Sequence, residues 1–114
     1  MNIEHLKEFG IDSYMEGKLI IDLHSKWCSS CLTISPILEK FRDDGLINLI
    51  KINLDENRKL GRELEIHAVP TLLFFKDGKL LDKNIAVSGE TLVDKGIMIG
   101  ATGELILKEI IKQM

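Results

Sequence analysis

The stretch Trp27-Cys28-Ser29-Ser30-Cys31 holds both cysteines of the chain, three positions apart, directly after the apolar run Leu19-Ile20-Ile21-Asp22-Leu23. On a helix, positions i and i+3 share a face, so the two sulfurs can close a disulfide or stand open as a dithiol. Cys28 falls where a helix would begin. There, unpaired amide donors and the positive end of the macrodipole favour thiolate over thiol, which makes Cys28 the candidate attacking nucleophile. Cys31, one turn deeper, is better placed to resolve a mixed disulfide than to start one. Half a zinc site has the same spacing, but zinc needs two more ligands. The chain offers only His5, His24 and His67 and no second cysteine pair, so no metal site is expected.

Outward from this stretch, periodicity organises the rest. Lys18–His24 is too short and apolar for a helix and too continuous for a half-exposed strand, so it reads as a buried central strand. Residues 29–44 carry Leu32, Ile34, Ile37, Leu38 and Phe41 at helical spacing, with Pro36 inside, where a kink is expected, and Gly45 as the stop. Residues 46–53 are β-rich. They lead to Asp55-Glu56-Asn57, a cap for a helix with Leu60 and Leu64 on one face. Val69-Pro70-Thr71 introduces Leu72-Leu73-Phe74-Phe75, and Lys76-Asp77-Gly78-Lys79 is a tight-turn signal that predicts an antiparallel partner. Residues 80–100 predict strands and turns, and residues 104–114 a helix with a wide apolar face. Before the first strand, Ile3, Leu6, Phe9, Tyr14 and Met15 suit an amphipathic cover broken at Gly10. The order implies a three-layer α/β/α arrangement around a mixed sheet.

The 114 residues, 45% of them hydrophobic, suit one domain with an ordinary core. A net charge of −3 with interspersed lysines and acids offers no stripe for nucleic acid and no polybasic membrane patch. No apolar run is long enough to span a bilayer, and the N-terminus has no basic region followed by an apolar segment. A cytoplasmic protein is expected.

In combination, Asp22 six residues before Cys28, the Trp27-Cys28-x-x-Cys31 motif, Ser35-Pro36-Ile37-Leu38, Lys51-Ile52-Asn53-Leu54-Asp55, Val69-Pro70-Thr71 and Gly100-Ala101 resemble the thioredoxin family from residue 19 onward. The resemblance implies a thioredoxin fold and a thiol-disulfide oxidoreductase that reduces protein disulfides. It makes Asp22 the buried acid-base group serving Cys31, where composition alone also allows a satisfied structural carboxylate. Lys51 becomes a modulator of Asp22, though by default it is a solvated lysine. Trp27, Val69, Pro70 and Gly100 become the substrate groove, with Pro70 in cis and the Val69 backbone free to pair with a substrate strand. The implied partners are disulfide-containing proteins and a thioredoxin-reductase-type electron donor, and no cofactor is held by the domain itself.

The sequence departs from the family pattern in three places. Ser29-Ser30 stands where the family has Gly-Pro. Leu32 replaces a lysine, and His24-Ser25 an aromatic-alanine pair. Between Gly78 and Gly100 the chain is longer by about a dozen residues, within 79–99, and loops beyond the usual length often carry function. A dithiol motif without proline keeps a thiol oxidase or isomerase of the same fold as an alternative. A non-catalytic module that binds one partner through Trp27, Val69 and Gly100 is another.

Overall fold

The computed structural model describes residues 3–9 and 16–114, so Gly10, Tyr14 and Met15 of the expected N-terminal cover lie outside the described residues. The central strand β1 (Lys18–His24) is flanked by a parallel β2 (Asn48–Asn53) and an antiparallel β3 (Thr71–Lys76). Its side chains alternate between the two faces of the sheet, as strand geometry requires. Ile20 points with Leu72 and Phe74 into a core completed by Ile34, Leu38 and Phe41 of helix α1 (Ser29–Asp43) and Leu107, Ile110 and Ile111 of helix α3 (Glu104–Gln113). Leu19, Ile21 and Leu23 point the other way. They pack with Leu73 and Phe75, with Leu60 of helix α2 (Arg58–Glu63), with Leu64 just past its end, and with Leu6 of an N-terminal 3-10 helix, Ile3–Phe9. The mixed sheet is therefore covered on both faces, which is the three-layer α/β/α arrangement expected from the sequence.

Asp22 sits in the middle of this strand and is fully buried, with buried neighbours on both sides. Each of those neighbours contributes about 2 kcal/mol by leaving water, and together they carry the carboxyl into the interior. Its place in the alternation puts it on the face covered by α1, the helix that carries Cys31.

The outer edge of the sheet is shared by two strands. β4 (Lys79–Leu80) pairs with the end of β3 through an Asp77-Gly78 turn, while β7 (Ile97–Ile99) pairs with its beginning. Between them, β5 (Ile85–Val87) and β6 (Glu90–Val93) form a separate two-stranded hairpin. Ser88-Gly89 and Lys95-Gly96 repeat the turn geometry of Asp77-Gly78, with both residues at positive φ. This is the type I′ pattern whose twist matches that of paired strands.

One expectation fails. Asn57 occupies the N-cap position of α2 but makes no side-chain cap. Its Nδ2 instead donates to the Asn53 carbonyl at 2.8 Å, where it satisfies an acceptor at the end of β2.

Candidate active site

Cys28 is the N-cap residue of α1, with an extended backbone, and is joined to Cys31 by a disulfide across a Cα separation of 5.2 Å. The Cys31 N–H donates to Cys28 Sγ at 3.1 Å, and Ser30 Oγ lies 3.4 Å from the same sulfur. The first turn of a helix leaves amides without intrahelical partners, and here one of them is aimed at sulfur. Cys28 is half-buried whereas Cys31 is only 3% exposed.

The loop that delivers Cys28 is held by a residue from the neighbouring strand exit. Ser25 Oγ donates to both carboxylate oxygens of Asp55, at 3.1 and 2.9 Å, and the Lys26 N–H donates to Asp55 Oδ2 at 3.1 Å. Ser25 in turn accepts the Trp27 N–H on its hydroxyl and the Cys28 N–H on its carbonyl. The Ser25 hydroxyl, and after it the Lys26 amide, hold the Asp55 carboxyl below its ordinary range. Ser25 and Asp55 follow the carboxyl ends of adjacent parallel strands, which is the available sign that they would meet. In the sequence Ser25 stands out only as a departure from the family pattern, and Asp55 only as a helix cap and as the last residue of the Lys51–Asp55 motif.

Asp22 has no hydrogen-bond partner for either oxygen among the described residues. Burial raises its pKa, and Glu39 adds to the rise, while His24 and Lys51 pull it down. Lys51 lies directly opposite Asp22 in the parallel register, but its ammonium pairs with Glu39 Oε1 at 3.0 Å. Its charge is thus shared with a group that sequence reasoning missed. Glu39 occupies a half-buried position on α1, and no periodicity marks such a residue.

The remaining candidates gather at the same end of the sheet. The Val69–Pro70 peptide is cis, Thr71 Oγ1 donates to the Ala68 carbonyl at 2.7 Å, and the Gly100 N–H donates to the Pro70 carbonyl at 2.8 Å. Leu23 pairs with Thr71, and Thr71 with Ile99, so the exit of β1, the Pro70 loop and Gly100 form one row. Trp27 stands 83% exposed, with Lys26 Nζ 5.3 Å from its ring centroid. No group of three or more His, Cys, Asp and Glu among the described residues could hold a metal ion.

Comparison with known proteins gives a consistent answer. The Thioredoxin family model matches residues 6–96. Thioredoxin of Staphylococcus saprophyticus is 36% identical over 74 residues, which cover 63% of this chain and 71% of that protein. Thioredoxin of Staphylococcus epidermidis is 35% identical over 86 residues, covering 73% and 83%. Among solved structures, oxidized mitochondrial thioredoxin 3 from Saccharomyces cerevisiae superposes with a TM-score of 0.67 at 28% identity, over 96% of this chain and 90% of that one. Matches of this extent, on a chain whose two cysteines close a disulfide at the start of a helix, make it a member of the thioredoxin family and a thiol-disulfide oxidoreductase that reduces protein disulfides.

Proposed function

We propose that Cys28 is the attacking thiolate, Cys31 the resolving thiol and Asp22 the proton acceptor that activates Cys31. The thiolate of Cys28 attacks one sulfur of a substrate disulfide, forms a mixed disulfide and expels the other sulfur as a thiolate. Cys31 loses its proton to Asp22, directly or through water, and attacks Cys28 Sγ. The Cys28–Cys31 disulfide closes and the second substrate sulfur leaves. Two electrons pass from the dithiol to the substrate. A carboxyl whose pKa is raised by burial is a better match to a thiol than an ordinary aspartate. Substrate chains dock along Trp27, Val69, Pro70 and Gly100, where the Val69 backbone supplies strand-type hydrogen bonds, and Lys51 modulates Asp22.

Thioredoxins are in general recharged by thioredoxin reductase. The donor proposed here is of that type, a flavin enzyme drawing on a nicotinamide, and the setting proposed is the cytoplasm. No helix among the described residues is long and apolar enough to cross a membrane.

The observation that carries the assignment of roles is the 3.1 Å bond from the Cys31 amide to the more exposed Cys28 sulfur. Limiting iodoacetamide on the reduced protein is expected to label Cys28 first, as mapped by mass spectrometry. Preferential labelling of Cys31 would reverse the roles.

A further inference from the structure

Cys28 sits where a loop becomes a helix, and it is held from both sides. On the helix side, the Leu32 N–H donates to the Cys28 carbonyl at 3.3 Å and the Cys31 N–H to Cys28 Sγ at 3.1 Å. On the loop side stands Ser25. Its carbonyl accepts the Cys28 N–H at 3.2 Å, and its hydroxyl accepts the Trp27 N–H at 3.4 Å.

The position of Ser25 comes from the neighbouring strand. Its hydroxyl donates to both oxygens of Asp55, and the Lys26 N–H donates to one of them. Asp55 is fixed in turn. Its N–H donates to Asn53 Oδ1 at 2.8 Å, and Asn57 Nδ2 donates to the Asn53 carbonyl at 2.8 Å. Just before, the Leu54 N–H ties the main chains by donating to the His24 carbonyl at 2.8 Å. A chain of bonds therefore runs from the exit of β2 through Asp55 and Ser25 to the Cys28 amide. Its middle step is a hydroxyl bonded to a carboxylate held below its ordinary pKa, and a charged acceptor makes a stronger hydrogen bond than a neutral one.

Redox state changes how much this chain of bonds matters. In the disulfide, Cys28 is bonded to Cys31, which is buried and built into α1, so its place is set even without the loop. Opening the disulfide removes that tie. A thiolate at Cys28 then keeps the Cys31 amide as a donor only while the backbone stays at the N-cap position, because a hydrogen bond weakens steeply as its geometry departs from the optimum.

We infer that Ser25 is a positioning residue for Cys28: by bonding to Asp55 it holds the reduced loop so that the thiolate stays on the helix-start amide. The inference rests on Cys28 being the attacking thiolate and adds the residue that keeps it in place. His24-Ser25 stands where the family has an aromatic-alanine pair, so the link belongs to this chain rather than to the cysteine motif. The same departure makes Ser25→Ala a mild substitution, since alanine is the family's own residue there.

The test is the pH profile of iodoacetamide alkylation of the reduced protein, with the labelled cysteine mapped by mass spectrometry. In Ser25→Ala the Cys28 midpoint is expected to move up, so that the rate below it falls about threefold, the scale of one net hydrogen bond. The alkaline plateau is expected to be kept, because the thiolate itself is unchanged, whereas damage to the fold would move the plateau and not the midpoint. Ser25→Thr, which keeps the hydroxyl, is expected to restore the wild-type profile. In an Asp55→Ala background, Ser25→Ala is expected to have no further effect, since the partner through which it acts is gone. An unmoved midpoint in Ser25→Ala, or a shift of equal size in the Asp55→Ala background, overturns the inference and leaves the cysteine roles standing. First labelling of Cys31 in the wild type overturns those roles and the inference with them.

Discussion

Asp22 is the residue at which folding and chemistry oppose each other most directly. The unfolded chain holds it near the ordinary aspartate pKa of about 3.9, and burial raises it in the folded protein. Between those two values the native state keeps a proton that the unfolded chain has released. Stability therefore falls as pH rises through that window, and above it the whole penalty of a buried carboxylate is present. Replacing Asp22 by asparagine removes the ionisation and keeps the shape. The melting temperature is expected to rise above the window, by roughly 4 °C for each kcal/mol relieved in a chain of this size, and to match the wild type at acid pH. The same variant is expected to accumulate the mixed disulfide in single-turnover reduction, because it lacks the carboxyl proposed to accept the Cys31 proton. A melting-temperature gain independent of pH would contradict the linkage argument, and unchanged turnover from pH 6 to 9 would leave Asp22 structural only. Lys51 illustrates why residue roles are hard to read from sequence. Its position opposite Asp22 follows from strand register, but its pairing with Glu39 depends on where α1 packs across the sheet.

At the scale of elements, the first turn of α1 brings two polar groups to the Cys28 sulfur. Ser30 Oγ lies 3.4 Å from Cys28 Sγ, so its hydroxyl can supply the thiolate with a second donor beside the Cys31 amide. Stabilising the reduced form relative to the disulfide raises the potential, and about 30 mV corresponds to about 1.4 kcal/mol in this two-electron couple. A proline at position 30 would remove the hydroxyl and restrict the reduced chain. In a helix's first turn it would break no intrahelical bond. Ser30→Pro is therefore expected to lower the potential by about 30 mV, measured by glutathione equilibration with Trp27 fluorescence as the readout. An equal or higher potential would shift attention to His24, Ser25 and Leu32. The helix itself is legible in the sequence, because its buried residues Ile34, Leu38 and Phe41 repeat at helical spacing. The apolar runs of β1 and β3 are legible for the same kind of reason. The Ser25–Asp55 link and the Asn57 bond to Asn53 are not, since a polar contact between two loops leaves no period, and one side chain can either cap a helix or tie back to a strand.

At the scale of the whole molecule, the fold accommodates the β5–β6 hairpin by closing the sheet edge around a single point. Phe74 on β3 accepts the Leu81 N–H at 2.9 Å and donates its own N–H to the Gly96 carbonyl at 2.8 Å, so the chain leaves the edge and rejoins it across one residue. Turn signals at Ser88-Gly89 and Lys95-Gly96 are visible in the sequence. That the ends of β4 and β7 converge on Phe74 is not, because the pairing spans the whole hairpin. Gly96 is where the convergence is tightest. Its φ is +83°, and a Cβ there would stand 2.7 Å from the Leu81 carbonyl oxygen and 2.9 Å from Leu80. Gly89 at the hairpin tip has nearly the same φ, +81°, with nothing within 4 Å of a Cβ. The two positions therefore separate backbone strain from collision. Gly89→Ala bears only the left-handed backbone penalty, about 1 kcal/mol. Gly96→Ala adds a clash with main chain that can be relieved only by separating the two halves of the edge, and is expected to cost about 3 kcal/mol or more. Urea unfolding of both variants in the oxidised state measures the difference. Equal midpoints would mean that the two ends of the interrupted edge are not held together at Gly96.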